Sequence, residues 1–176
     1  MARLARVSYI GLPLLIAAAL FAGPAHLPAQ TPAPVGSQEA SVVGLFLDAA
    51  SLQPTVVLRG KRDRRTFGMA IGSAEATGIV FPLENRVPPR PLTHDLFMTL
   101  FGRLKVTVTR VVITDLRDGI YYATVYLDAG GTEVQLDSRP SDAIALAIRA
   151  KAPVLVEDRV FDKSDLLPGP SPAPRI

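Results

Sequence analysis

Two stretches of this chain carry the same order of patterns at an offset of 67 residues, which takes Asp48 to Asp115, Phe67 to Val134, Met69 to Leu136, Glu75 to Asp142, Ala76 to Ala143 and Asp95 to Asp162. Strand faces and acidic helix starts coincide without a gap, although few residues are identical. A repeat of this length marks one supersecondary unit used twice, and neither copy can bury its apolar face alone. Each copy reads as a hairpin, a further strand and a helix. The expectation is an α+β fold: one compact domain, an internal duplication of a three-strand-plus-helix unit about a pseudo-twofold axis.

Within the first copy, residues 41–48 form a continuous apolar run closed by a turn signal, which reads as a buried strand. Residues 55–59 and 66–71 are the next two strands, with Phe67, Met69 and Ile71 on one face by the period of two, and the basic tip 61–65 joins them. Ser73 is expected to cap a helix with Glu75 in its positive first turn, and Pro82 to end or bend it. Thr93 is expected to cap a second helix, in which Leu96, Phe97, Leu100 and Phe101 recur at helical spacing and would face the core. In the second copy, strands at 106–116, 120–127 and 133–137 are joined by the turn signals 117–119 and 128–131. Pro140 opens a third helix through Ala150, 153–157 is a last strand, and 161–166 a short helical end.

The ends of the chain read differently. Arg3 and Arg6 precede an uncharged stretch, 7–25, whose densest apolar run is broken only by Pro13. This is the layout of a bacterial-type secretory signal, with cleavage after Ala25 or Ala29. It would export the protein to the periplasm or the medium. The alternative is an uncleaved membrane anchor, because 19 uncharged residues are just long enough to cross a bilayer. Residues 30–40 read as a Pro/Ala-rich linker and 167–176 as a Pro-rich disordered tail. The domain is thereby expected at 41–166, and residues 1–29 as the signal or anchor.

The chain has 19 Lys plus Arg against 16 Asp plus Glu. Without Arg3 and Arg6 it keeps 17 basic against 16 acidic side chains, so a phosphate backbone could be held only through a local patch. The chain lacks Cys, which excludes disulfides and thiolate metal sites. Its 4 Tyr and 7 Phe are too few for base reading by aromatic stacking. No nucleotide-binding loop or nucleophile elbow occurs. What remains is a set of acids at element ends: Asp48, Glu75, Asp95, Asp115, Asp118 and Asp142. Converging carboxylates can hold a hard divalent cation, Mg²⁺ or Mn²⁺, that activates water against a phosphodiester. The plainer reading makes Asp118 a turn residue and Glu75, Asp95 and Asp142 helix-start acids. His94 is the one His in the expected domain and the one candidate imidazole base; otherwise it is an exposed first-turn residue. Arg117, Arg139 and the tip Arg59, Lys61, Arg62, Arg64 and Arg65 could grip phosphates, unless the tip is simply solvated.

The runs 88–96 (PPRPLTHDL), 111–119 (VVITDLRDG), 137–147 (DSRPSDAIALA) and 152–154 (APV), with the helix start 72–76 (GSAEA), resemble the bifunctional nuclease family (BFN, DUF151) over about residues 42–161. The resemblance implies a compact α+β domain that self-associates and a nuclease acting on RNA and DNA. It carries Glu75, His94, Asp95, Asp115, Asp118, Arg139, Ser141 and Asp142 over as motif positions. Departures are the third strand, without the Pro-Ile-Trp-type segment common in the family, Pro82 inside a helix, and the export signal.

Together these readings predict a phosphodiester hydrolase of low sequence specificity. Asp115, Asp142 and Glu75 would hold a divalent ion or orient water, His94 with Asp95 would accept a proton, and Arg139, Arg117 and Ser141 would bind substrate. Nucleic acid and a second copy of the chain are the expected partners, and a membrane only if the N-terminal segment is retained. The alternative is a non-catalytic binding or assembly module of the cell envelope, in which the same acids cap helices and tie hairpins.

Overall fold

The computed structural model describes residues 36–49 and 51–168. The expected signal or anchor, most of the linker and nearly all of the tail lie outside the described residues. In chain order the elements are β1 (Ser37–Leu47), β2 (Pro54–Gly60), β3 (Thr66–Ala70), α1 (Ser73–Leu83), α2 (Thr93–Leu104), β4 (Val106–Arg117), β5 (Ile120–Ala129), β6 (Thr132–Ser138), α3 (Pro140–Ala150), β7 (Val154–Glu157) and α4 (Asp158–Lys163).

The strands form one mixed sheet in the order β3-β2-β1-β7-β4-β5-β6. Two antiparallel meanders, β1 to β3 and β4 to β6, flank β7, which runs antiparallel to β1 and parallel to β4. This palindromic order, with every strand reversed between the halves, is what a twofold axis through β7 generates. The fold is α+β, as the sequence predicts.

One face of the sheet carries the core. Val56 and Leu58 of β2, Val111 and Ile113 of β4, Val125 of β5 and Val156 of β7 pack with Ile79 of α1, Ile144 of α3 and Val160 and Phe161 of α4. The small residues Ala143, Ala145 and Ala147 let α3 lie close on β4 and β5 while touching α1 and α2. The β4–β5 turn is Asp118-Gly119, with φ of 51° and 75°. Two positive φ values make the tight turn whose twist matches the strands, which gives Asp118 its turn role.

Four expectations need correction. The first strand begins at Ser37 rather than residue 41, because Ser37 to Ala40 pair with β7, more than a hundred residues on. Neither Ser73 nor Thr93 is an N-cap: Gly72 and Leu92 hold those positions, and Asp95 Oδ2 accepts the Leu92 N–H at 2.8 Å. The short last helix starts at Asp158, directly after β7, while Leu166 instead bridges to Phe67. Finally, the periodic stripe of α2 faces outward. Phe101 and His94 are buried, but Leu96, Phe97 and Leu100 are exposed, with Leu104 beside them. The roll of the helix is set by His94 and Asp95, which are anchored to α3, rather than by its leucines.

The basic tip is not a free patch. Arg62 pairs with Asp158, Arg65 with Asp63 and Asp162, and Lys61 with Glu39, which ties the β2–β3 hairpin to α4 and β1.

Candidate active site

Three helix starts meet where α1, α2 and α3 approach one another. In α3, Pro140 at the first position is suited by its fixed φ and missing N–H. Arg139 just before it is extended, and Asp142 stands in the first turn. Asp142 Oδ2 accepts from Arg139 Nε at 2.7 Å, and Oδ1 lies 3.0 Å from His94 Nε2 of α2. Arg139 Nη1 also donates to Glu75 Oε1 of α1 at 2.8 Å. Glu75, Arg139, Asp142 and His94 therefore form one continuous chain of charge-assisted bonds across three helices.

The imidazole is wedged. A Cβ on Gly78 would lie 2.8 Å from both Nδ1 and Cε1 of His94, so only glycine permits the ring to lie against α1. Burial pushes the Asp142 carboxyl up, but the bonds from Arg139 and His94 outweigh it and hold it below the usual carboxylate range. Asp142 is thus ionised at neutral pH, and His94 donates through Nε2–H. Asp142 in turn raises the Arg139 guanidinium above its ordinary value.

Asp95 does not pair with His94. Its Oδ1 takes Arg149 Nε at 2.7 Å, while Arg149 Nη1 reaches the carbonyls of Gly78 and Ala145 at 2.6 and 2.9 Å. Burial raises the Asp95 carboxyl, and Arg149 and the Leu92 amide bring it below its ordinary value. The pair acts as a strut between α1, α2 and α3. Sequence reasoning missed Arg149 and Gly78, although a glycine inside a helix is itself a signal of close approach.

Asp115 and Arg117 belong to another group. Asp115 accepts from Lys163 of α4 at 2.6 Å and lies 3.4 Å from Arg117, whose guanidinium stacks over Tyr122 at 3.8 Å. The Lys163 bond, with burial opposing it, holds Asp115 below the usual range. The three candidate metal ligands Asp115, Asp142 and Glu75 are not brought together, and among the described residues no three His, Asp or Glu side chains gather as a metal site. Each of the three already neutralises a cation, Lys163 for Asp115 and Arg139 for the other two. These acids as arranged do not fit a shared divalent ion.

Glu75 and Arg139 head a cleft of about 460 Å³. Its walls are Met69 to Gly72 at the end of β3, the β4–β5 turn with Gly119, Ile120 and Tyr121, and Pro140 and Ser141 of α3. Arg139 has 65% of its side chain exposed, and among the described residues nothing takes its Nη2 protons. The Ser141 hydroxyl likewise has no protein partner among the described residues, and it lies at the positive start of α3. An anion entering the cleft meets both.

Residues 56–168, which include every one of these side chains, match the model of the bifunctional nuclease domain. The chain belongs to the bifunctional nuclease domain family. An uncharacterized protein of Mycobacterium tuberculosis is 36% identical over 129 residues, covering 73% of this chain and 77% of that protein. Bifunctional nuclease 1 of Oryza sativa subsp. japonica is 36% identical over 81 residues, 44% of this chain and 24% of the plant protein. The bifunctional nuclease of Oryza minuta matches with the same figures. In this bifunctional nuclease domain the motif acids take separate places: Glu75 lines the cleft, Asp142 holds its arginine and Asp95 braces the helices, while Asp118 makes the β4–β5 turn and Asp115 lies against α4.

Proposed function

We propose that this chain hydrolyses phosphodiester bonds of RNA or DNA with low sequence specificity, at the cleft headed by Arg139. The observation that carries the reading is the exposed Arg139 guanidinium, fixed between two carboxylates and with its Nη2 protons aimed at no protein acceptor. A phosphodiester placed there has one oxygen on Arg139 and another within reach of the Ser141 hydroxyl and the start of α3. Developing charge on the phosphorane is then met by donors that need no rearrangement. Glu75 keeps one carboxylate oxygen outside its bond to Arg139 and takes the proton of the attacking water. The water oxygen bonds phosphorus, the bond to the leaving sugar oxygen breaks, and solvent supplies the proton to the leaving group. His94 is a positioning residue: through Asp142 it fixes the plane of Arg139. No step passes through a metal ion.

The same reading puts the substrate outside the cytoplasm, on the pattern of residues 1–29. It also includes self-association, for which the outward stripe Leu96, Phe97 and Leu100 is the candidate surface; Leu100→Glu should then shift the chain to a smaller size on gel filtration.

A second reading is a non-catalytic envelope module, favoured by the fact that Glu75, Asp95, Asp115 and Asp142 are all engaged in ion pairs. The test is cleavage of labelled RNA and single-stranded DNA by the chain from Thr31, with Mg²⁺, Mn²⁺ or EDTA, beside Glu75→Gln and Arg139→Gln. Cleavage lost in both variants supports the hydrolase. Equal traces in all three proteins, with stability lowered in the two variants, favour the module.

A further inference from the structure

We infer that the cleft takes one unpaired nucleotide, its phosphate on Arg139 and its base against Ile120 and Tyr121, so that the protein selects single strands over duplex. The inference rests on the phosphodiester reading of the same cleft and adds to it the strandedness of the substrate and the residue that selects it.

The argument starts from Ile120. It is the first residue after the Asp118-Gly119 turn, and 59% of its surface is exposed. A hairpin tip ordinarily carries polar side chains, and a large aliphatic one contributes nothing to the core from there. Its place on the cleft wall gives it another use. Arg139 and Glu75 line the same cleft as Ile120, Tyr121 and Pro140, which provide its apolar surface. Tyr121 is rigid: its ring stacks on Phe67 at 5.7 Å and its hydroxyl lies 3.1 Å from Ser164 Oγ.

A nucleotide has this same division, a charged phosphate joined to a flat apolar base. The free Nη2 donors of Arg139 suit the phosphate, and the apolar wall removes one face of the base from water without reading its hydrogen-bonding edge. Such a contact accepts all four bases, which agrees with low sequence specificity. In a duplex both faces of each base are stacked, so a base reaches this wall only if it first leaves the helix. Unpaired strands bear no such cost.

Ile120→Ser removes the aliphatic contact at an exposed position, so the fold should be kept, and the thermal midpoint checks this. Binding is read by fluorescence anisotropy with three labelled DNA probes of equal length: a mixed-sequence single strand, its duplex, and a strand of abasic sites. The expected result is about tenfold weaker binding of the abasic strand and of the duplex than of the single strand, with Ile120→Ser losing that advantage and leaving the abasic strand unchanged. Equal affinity for all three probes, or an Ile120→Ser variant that binds the single strand as the parent does, overturns the inference. Cleavage of the same probes separates it from the hydrolase reading. Selective binding without cleavage keeps the base wall and removes the hydrolase, whereas equal cleavage of single strand and duplex keeps the hydrolase and removes the wall.

Discussion

Glu75 and Asp142 hold the same guanidinium from two sides, Glu75 through Arg139 Nη1 at 2.8 Å and Asp142 through Nε at 2.7 Å. The two acids are separated by the 67-residue offset of the internal repeat, and so are Gly78 and Ala145, which meet where α1 and α3 approach. The site is therefore built where the two copies of one unit face each other. One difference between the copies bears on the site: Arg139 in the second corresponds to Gly72 in the first. A side chain at Gly72 would collide with the Glu75 carboxylate, so one copy contributes the cation and the other the room for its partner.

Arg139→Gln should lower hydrolysis by about 100-fold, the usual effect of removing one donor to a developing oxyanion. Arg139→Lys should recover only part of it, because an ammonium cannot satisfy two carboxylates and a phosphate with fixed planar geometry. Arg139 is mostly exposed but helps to hold Asp142 ionised, so the melting temperature should fall only slightly in Arg139→Gln and less in Arg139→Lys. Steady-state cleavage of a labelled oligonucleotide, beside a thermal melt, checks both statements.

Gly78→Ala should destabilise by about 1–3 kcal/mol, since the new methyl has to displace the buried His94 ring or separate α1 from α2. A methyl at Gly102, where nothing lies within 4 Å of the new atom, serves as the control and should be neutral or slightly stabilising through helix propensity. Urea unfolding of the two variants measures the contrast.

Acid should weaken the fold through Asp142 and Asp95. Both carboxyls titrate lower in the folded chain than their ordinary value of 3.8, against the upward push of burial, because Arg139 and His94 hold one and Arg149 and the Leu92 amide the other. On acidification the unfolded chain binds these protons first. Their stabilisation is therefore fully present above the ordinary carboxylate value and is lost as pH falls through the lower folded values. The urea midpoint should fall steeply below about pH 4, and Asp142→Asn should flatten that limb. An unchanged slope in the variant would remove Asp142 from the linkage.

The repeat, the strand faces and the turn at Asp118-Gly119 were legible because each is a local pattern: alternation, periodicity or a residue that tolerates positive φ. The motif residues around Arg139 and Asp142 were legible as a set, but their partners were not. Local sequence places Asp95 beside His94, yet neighbours on a helix point in different directions, so Asp95 turns to Arg149 and His94 to Asp142. The start of β1 and the outward stripe of α2 were illegible for a related reason. Pairing of Ser37 to Ala40 with β7 and the roll of α2 depend on contacts far away in the chain, and periodicity alone does not say which side of a helix faces in.

Asp115 gives the sharpest separation between motif membership and chemistry. It lies in a family motif, but its carboxylate is engaged by Lys163, Arg117 and the Leu116 amide rather than by Arg139. Its work is to hold α4 against the end of β4, beside the Arg159 bond to the Thr114 carbonyl at 2.8 Å. Asp115→Asn keeps the shape and an acceptor but loses the charge, so Lys163 is held less firmly. Hydrolysis at saturating substrate should remain within about twofold of the parent, since no group at the cleft changes charge. Amide hydrogen exchange in α4 should become faster, because a short helix held by surface ion pairs opens first. Loss of hydrolysis comparable to that of Arg139→Gln, with exchange in α4 unchanged, would move Asp115 from the tether into the catalytic group.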